Sequence, residues 1–246
     1  MIRAAIQSLV EAVYPPQCAM CDARTAVAFS LCGACWRDTP FIEGLTCDAC
    51  GAPLPGQPGT PGESDALCDD CLAIARPWQR GRAAFAYRDT GRRMVLQLKH
   101  GDRLDLARVA APWLLRAARP VWSERPALVP VPLHWRRLAR RKYNQSAVLA
   151  QRLSELAPAD YMPDVLVRRK ATAPLDGHDR EARFQSLAGA IVAHDCRGAQ
   201  VQGRQVILVD DVMTSGATFA AATEACLAAG AHAVCVLALA RVTKEA

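Results

Sequence analysis

The stretch VILVDDVMTSGAT, residues Val206–Thr218, joins a strand pattern, a pair of acids and a small hydroxyl-rich loop. Its four leading apolar residues, Val206–Val209, are typical of a buried strand in a parallel sheet. Asp210 and Asp211 follow directly, so such a strand carries two carboxylates to the carboxyl edge of its sheet. Open α/β folds bind their ligands at that edge. The stretch therefore predicts an α/β fold with a ligand site beside Asp210.

The loop after the acids has the composition of an anion-binding loop. Three hydroxyl groups and several backbone N–H groups lie where the pattern predicts a helix N-terminus, which favours phosphate. The loop consists of Thr214, Ser215, Gly216, Ala217 and Thr218. Two neighbouring carboxylates can accept hydrogen bonds from vicinal ribose hydroxyls or hold a hydrated magnesium ion. The structural alternative is a buried strand that ends in solvated acids.

The residues around this stretch alternate between strand and helix patterns. Strands are predicted at Ala83–Tyr87, Ala127–Leu133, Asp164–Val167, Ala190–His194, Gln205–Asp210 and His232–Ala240, and helices at Arg92–His100, Asp105–Ala118, Tyr143–Leu156 and Gly216–Ala229. Gly230 is the expected stop of the last helix. Strands separated by helices of this length predict crossover connections and a mostly parallel sheet.

Length and composition bound the class of protein. The chain has 246 residues, 51% of them hydrophobic and 22% charged, which allows a packed core and excludes general disorder. No apolar run approaches the roughly 18 residues that a membrane span needs. Polar residues at Gln7 and Glu11 interrupt any signal-peptide core, so we expect a cytoplasmic protein whose residues 1–14 form an amphipathic helix.

Cysteine usage points to metal. Of 11 cysteines, eight fall into four Cys-x-x-Cys pairs, namely Cys18/Cys21, Cys32/Cys35, Cys47/Cys50 and Cys68/Cys71. Two such turns complete a tetrahedron of thiolates. A disulfide framework fits a chain without a secretory signal less well, and a thioredoxin-like redox site would need one such pair on a strand–helix turn, not four in loops. The spacing predicts two structural zinc ions. Sequential pairing of the four turns is favoured over interleaved pairing, which would use the same ligands.

Charge and composition divide the chain into two modules. Residues 1–77 carry a net charge of −5, and residues 78–246 carry +11, so the second module faces something anionic. A Pro/Gly/Ser-rich stretch, residues 52–67, lies between two cysteine pairs as a loop. We expect a double zinc-ribbon module over residues 15–76 and an α/β domain over residues 80–246.

Two resemblances name a family. Residues 206–218 resemble the phosphoribosyl-pyrophosphate signature of the type I phosphoribosyltransferases over essentially all thirteen positions. The segments Val129–Leu133, Tyr143–Ser146 and Lys99–Asp102 are similar to the ComF family, whose members join a cysteine-rich module to this transferase fold. The resemblance covers the whole chain. It implies a type I phosphoribosyltransferase fold, a mostly parallel sheet flanked by helices, preceded by the zinc ribbons.

The resemblance also assigns roles. It implies that Asp210 and Asp211 contact the ribose hydroxyls of phosphoribosyl pyrophosphate, and that Thr214–Thr218 cradle its 5′-phosphate. Magnesium, the Lys99 segment and a basic loop would offset the charge of the leaving pyrophosphate. The chain departs from the family pattern at three places. Lys142 replaces a usual glycine, Thr172–Leu175 lacks a common glutamine, and Ser186 stands in for a usual asparagine.

The basic loop has more than one interpretation. Arg136, Arg137, Arg140, Arg141 and Lys142 put five positive charges into seven residues. The loop is a solvated face, a site in which Arg140 and Arg141 meet pyrophosphate, or a track for single-stranded nucleic acid with Trp135 and Tyr143 as stacking platforms. The pyrophosphate role is favoured because the loop follows a sheet strand.

The function favoured by the sequence is that of a pentosyltransferase-class enzyme. Such a protein would bind phosphoribosyl pyrophosphate with magnesium and transfer or hydrolyse its phosphoribosyl group. The alternative is a non-enzymatic module on the same fold that binds single-stranded DNA or a DNA-uptake helicase, since ComF-type proteins are associated with competence. Fold alone does not separate the two hypotheses.

Overall fold

The computed structural model describes residues 14–56, 66–170, 187 and 189–243. Its central sheet has five strands in the order β1-β7-β6-β2-β3, and all neighbouring strands run parallel. The strands are β1 (Gly81–Ala86), β2 (Ala127–Pro130), β3 (Asp160–Tyr161), β6 (Gln205–Met213) and β7 (Ala233–Arg241). Two further strands, β4 (Leu166–Arg168) and β5 (Ile191–Ala193), form a separate antiparallel pair.

Helices connect the strands of the sheet. Within the described residues they are α1 (Gly33–Arg37), α2 (Asp69–Ala73), α3 (Asp89–His100), α4 (Leu106–Ala118), α5 (Trp135–Arg141), α6 (Gln145–Leu156) and α7 (Ala217–Ala228), with short 3₁₀ turns at Arg119–Val121 and Gly198–Val201. The predicted α/β class with a mostly parallel sheet is confirmed. Gly230 follows the last helix with a φ of +88°, the left-handed conformation that glycine adopts most readily.

The sheet is buried on both faces, which explains why its central strand is apolar without alternation. Val206 and Leu208 face one cluster, which contains Phe219 of α7 and the cysteines of the second ribbon. Ile207 and Val209 face the other, which is built from α4 and α6. Neighbouring strand residues point to opposite faces, so a continuous apolar run is what a doubly covered strand requires.

Two predicted strand boundaries were wrong, and two predicted strands lie outside the parallel sheet. Strand β6 continues past Asp210 to Met213, because β7 pairs with it as far as Arg241. The run at residues 127–133 ends as a strand at Pro130. The pair β4–β5 does not join the parallel sheet but lies apart as an antiparallel ribbon.

The basic segment is a helix, not the loop that the sequence predicted. Helix α5 begins after His134, whose Nδ1 accepts a hydrogen bond from the backbone N–H of Arg136 at 3.3 Å. It ends at Arg141, and the next residue, Lys142, caps it with a φ of +66° in the left-handed region. Glycine occupies such a terminal position without strain, which gives a physical reason for the glycine usual in the family.

Candidate functional site

The eight cysteines of the four Cys-x-x-Cys turns form two separate tetrads. Cys18, Cys21, Cys32 and Cys35 make the first, and Cys47, Cys50, Cys68 and Cys71 make the second, with the sulfur atoms of each within 4.8 Å of one another. The favoured sequential pairing is confirmed. Each tetrad joins two turns across intervening chain, as zinc ribbons do.

The geometry of both tetrads fits zinc. Tetrahedral thiolates at about 2.3 Å from zinc lie roughly 3.8 Å from one another. The sulfur atoms are 3.5 Å apart between Cys21 and Cys32 and 3.6 Å apart between Cys50 and Cys68. With four cysteine ligands a site has no open position for substrate, so both sites are structural.

The second ribbon is packed into the α/β domain. Buried Asp48 of the ribbon accepts from Arg82 at 2.6 Å and from Arg80 at 3.0 Å. A Cβ on Gly51 would lie 2.7 Å from the backbone nitrogen of Ala83, so only glycine allows this approach. The ribbon and the sheet therefore share one core.

The acidic pair lies near the carboxyl end of β6, as the sequence predicted. Lys99, from the end of α3, places its Nζ 2.9 Å from Oδ1 of Asp211. Ser146, in the first turn of α6, donates from its hydroxyl to Oδ1 of Asp210 at 2.7 Å. Three segments distant in sequence thus meet at one edge of the sheet.

The two carboxylates have different surroundings. Burial raises the pKa of Asp210 to about 7, and the negative charge of Asp211 acts in the same direction. The Ser146 hydroxyl and the positive charge of Lys99 act against that rise. Lys99 pairs directly with Asp211, whereas Asp210 is held by a neutral hydroxyl. The site thus carries negative charge that a cation or hydroxyl donors could stabilise.

The hydroxyl-rich loop begins helix α7. Gly216 caps the helix with a φ of +86°, and the Ser215 hydroxyl accepts from the backbone N–H of Ala217 at 3.4 Å. Thr214 is exposed, and Ser215 and Thr218 are half-buried. Helix α7 begins at Ala217, a few residues after the end of β6, so its N-terminus lies at the same edge of the sheet as the acids. The partial positive charge of a helix N-terminus is therefore close to that edge.

One of the two predicted arginines is connected, through Gln145, to the backbone of Lys99. The guanidinium of Arg141 donates to Oε1 of Gln145 at 3.3 Å, and the Gln145 amide donates to the carbonyl of Lys99 at 3.5 Å. Arg140 is exposed on α5. Burial lowers the pKa of His100, and the charges of Arg141, Lys99 and Arg140 lower it further, so these cations surround one corner of the site.

Sequence reasoning missed three residues that the fold brings to Asp210 or its sheet edge. Ser146 bonds the Asp210 carboxylate, and Asn144 caps α6 and donates to the Val131 carbonyl at 2.9 Å, which holds α6 against the sheet edge. Burial lowers the pKa of Arg168, and Asp210 acts on that group in the opposite direction, so the two charges interact. The Tyr143–Ser146 motif was a signal for the first two, but no motif marked Arg168.

Several predictions fall outside the described residues. They are most of the amphipathic helix at residues 1–14, and the departures at Thr172–Leu175 and Ser186. Within the described part of the chain, no helix has both the length and the apolar character to cross a membrane.

A known protein family and several relatives are similar in sequence to this chain, and together they align with nearly all of it. The double zinc ribbon domain family matches residues 9–78. The chain is 32% identical over 233 residues to DNA utilization protein YhgH of Escherichia coli K12, covering 92% of this chain and 97% of that protein. It is 28% identical over 156 residues to Competence protein F of Haemophilus influenzae, covering 61% and 68%.

Solved structures resemble the chain only distantly. A hypoxanthine phosphoribosyltransferase from Staphylococcus aureus aligns with a TM-score of 0.32 and 10% identity, over 63% of this chain and 69% of that one. The protein TT1426 from Thermus thermophilus aligns with a TM-score of 0.33 and 16% identity, over 57% and 85%. Scores of this size do not bear on the fold, which the strand order establishes.

Proposed function

Because the chain belongs to the ComF family, with DNA utilization protein YhgH and Competence protein F, we propose that it binds phosphoribosyl pyrophosphate with magnesium and transfers or hydrolyses the phosphoribosyl group. One observation carries the proposal. The paired acids at the end of β6, the Lys99 ammonium and the loop at the start of α7 lie at one edge of a parallel sheet. We further propose the division into a ribbon module over residues 15–76 and a transferase-like domain over residues 80–246.

The proposed roles follow from charge and hydrogen-bonding capacity. Asp210 and Asp211 accept hydrogen bonds from the ribose hydroxyls, and Ser146 holds the first of them in place. The backbone N–H groups and hydroxyls of Thr214–Thr218 hold the 5′-phosphate. Magnesium, when bound beside the two carboxylates, would supply positive charge to the pyrophosphate.

Lys99 has a second role in the proposal. When a donor enters, its hydroxyls compete for Asp211, and the ammonium 2.9 Å away can turn toward the pyrophosphate. The ribosyl centre gains positive charge as pyrophosphate leaves, so a cation on the leaving group stabilises the transition state. Arg141 lies on the same side through its contact with Gln145. No covalent nucleophile is needed.

Calorimetric titration of magnesium phosphoribosyl pyrophosphate into the zinc-loaded protein tests the proposal. We expect saturable binding that Asp210→Asn combined with Asp211→Asn weakens at least tenfold. Each acid loses charge-assisted hydrogen bonds of about 1.5–3 kcal/mol, and about 1.4 kcal/mol is one decade. Glu224→Gln, which removes an exposed charge on α7, is the control and should change nothing. Wild-type protein that fails to bind the donor refutes the proposal.

A second candidate function, single-stranded nucleic acid binding, has its own support. Trp135 is 64% exposed, and the guanidinium of Arg136 lies 5.3 Å from its ring centroid, so an aromatic platform and charges meet on one helix. The names of the relatives refer to DNA utilization and competence.

Arg140→Ala with Arg141→Ala separates the two functions. If these arginines serve pyrophosphate, the donor binds more weakly and ribose 5-phosphate binds as before, because only the pyrophosphate arm reaches α5. If they serve a polynucleotide, donor binding is unchanged and the log–log salt slope of single-strand binding falls by about 0.7 per lost phosphate contact. Arg119→Ala is the control, because Arg119 is exposed in the turn before β2, toward the opposite edge of the sheet.

A further inference from the structure

Two arginines connect the second cysteine tetrad to the hydroxyl-rich loop. The first is Arg76, just after α2, which donates from Nε to the Cys71 sulfur at 3.4 Å and from Nη1 to the backbone carbonyl of Ser215 at 2.8 Å. A single planar guanidinium thus bridges a zinc ligand and the loop. Ser215 lies 139 positions from Arg76 in sequence, so the bridge is a tertiary contact on the loop side.

The second bridge comes from the end of β7. Buried Arg241 directs Nη2 to the Cys50 sulfur at 3.6 Å and donates from Nη1 to the Thr214 carbonyl at 2.8 Å and to the Met213 carbonyl at 3.3 Å. Two successive loop carbonyls, those of Thr214 and Ser215, are therefore each held by a guanidinium that also contacts a cysteine sulfur of the same tetrad.

Trp78 packs beside Arg76, whose guanidinium carbon lies 5.5 Å from the centroid of the indole ring. Its indole N–H donates to the Ala49 carbonyl of the ribbon at 2.5 Å, and its ring packs edge-on against Phe219 of α7 with centroids 6.2 Å apart. A Cβ on Gly216 would lie 2.9 Å from this ring. The loop from Met213 to Gly216 thus rests on Trp78 and on the two arginines that contact the ribbon.

The bridges orient the N–H groups of the loop. In a trans peptide the C=O and the N–H of the next residue point in opposite directions. Holding the Thr214 carbonyl against Arg241 therefore turns the Ser215 N–H away from the ribbon. Holding the Ser215 carbonyl against Arg76 does the same for the Gly216 N–H. These are the groups that a phosphate at the start of α7 would need.

We propose that Arg76 and Arg241 are positioning residues through which zinc at the second ribbon organises the phosphate loop. Zinc keeps its four ligands as thiolates, so the site carries a net charge of about −2 and is a strong acceptor for guanidinium groups. Zinc also fixes the positions of the four sulfurs, so the two guanidinium groups are held at one end by a rigid site. The second zinc is then a structural ion with a direct effect on ligand binding. The inference rests on the proposed phosphate role of Thr214–Thr218.

The test uses Arg76→Met in the full, zinc-loaded chain, since half-buried Arg76 is the more replaceable of the two arginines. Amide hydrogen exchange of a peptide spanning residues 213–219 reports the loop without any ligand. Titration with ribose 5-phosphate reports its function. We expect exchange at least fivefold faster, a Kd five- to tenfold weaker, and unchanged zinc content. Arg76→Lys keeps the positive charge but lacks the planar guanidinium that makes two contacts at once, so it should recover part of each loss.

Arg80→Met is the matched control. Arg80 also ties the ribbon to the sheet, through Asp48 at 3.0 Å, but in the described structure it bonds neither the loop nor a cysteine of the tetrad. It should lower the midpoint of unfolding without altering loop exchange or the Kd. If Arg76→Met, like the control, lowers stability but leaves loop exchange and the Kd unchanged, the inference is overturned. Faster loop exchange in a chain whose wild type binds no ribose 5-phosphate would instead refute the proposed function and retain the coupling.

Discussion

Replacing Asp210 by asparagine is expected to stabilise the folded protein at pH 8, although it removes a residue of the proposed site. The structure explains why the exchange is mild. Both hydrogen bonds to this side chain, from the Ser146 hydroxyl at 2.7 Å and from the Asp211 backbone N–H at 2.8 Å, end on the same oxygen, Oδ1. An asparagine carbonyl oxygen can accept both, so the main loss is one negative charge.

The magnitude follows from the pKa of the carboxyl. Burial, and then the charge of Asp211, raise the pKa of Asp210 from 3.8 to about 7. At about 1.36 kcal/mol for each pKa unit, ionising Asp210 in the folded protein would cost about 4 kcal/mol more than in the unfolded chain. Since Asp210 is only half-buried and water screens part of this cost, we expect about half of that, a gain of about 2 kcal/mol in unfolding free energy for the Asn variant.

The pH dependence is diagnostic. A carboxyl with a raised folded-state pKa binds its proton more tightly in the folded protein, so the contribution of Asp210 to stability falls as pH rises from about 4 to about 7. The advantage of Asp210→Asn should therefore be absent below about pH 4, grow between about pH 4 and 7 and remain constant above. Urea unfolding of variant and wild type at about pH 4.5, 6 and 8 measures it, and the difference cancels the pH dependence of zinc binding.

Asp211→Asn is the control for this prediction. It leaves the Lys99 ammonium without the carboxylate that now lies 2.9 Å away, so it should destabilise the protein at pH 8. The two substitutions at adjacent acids should therefore change the free energy of unfolding in opposite directions. Equal destabilisation by both substitutions, or a gain from Asp210→Asn that does not change with pH, would refute the reasoning.

Further predictions concern the ribbons and two backbone positions. Metal analysis should find about two zinc ions per chain, and Cys21→Ser and Cys50→Ser should each lose a different one, because the tetrads are separate. Lys142→Gly should raise the free energy of unfolding, measured in urea, by about 0.5–1 kcal/mol. Glycine removes the cost of a left-handed lysine, and the greater backbone entropy of glycine in the unfolded chain offsets part of that gain. Gly51→Ala should lower it by about 3 kcal/mol, since its Cβ would meet the Ala83 backbone at 2.7 Å.

Most of the site prediction came from patterns of neighbouring residues in the sequence. An apolar strand that runs into Asp210 and Asp211 predicts both a sheet edge and a ligand, and the structure places the acids there. The four Cys-x-x-Cys turns likewise carry the zinc prediction. What local pattern could not show was the conformation of the basic segment, because the side-chain cap from His134 and the left-handed Lys142 define that helix.

The sequence by itself determined the α/β class, the two tetrads and the residues at the edge of the sheet, because periodicity and ligand spacing are properties of neighbouring residues. Only the tertiary structure decided which distant groups meet there. Ser146 reaches Asp210, and Lys99 reaches Asp211, across segments with no shared pattern. The link of the second ribbon to the loop is of the same kind. Arg76 and Arg241 look like ordinary charged residues in sequence, and burial and distance alone place them between thiolate and carbonyl.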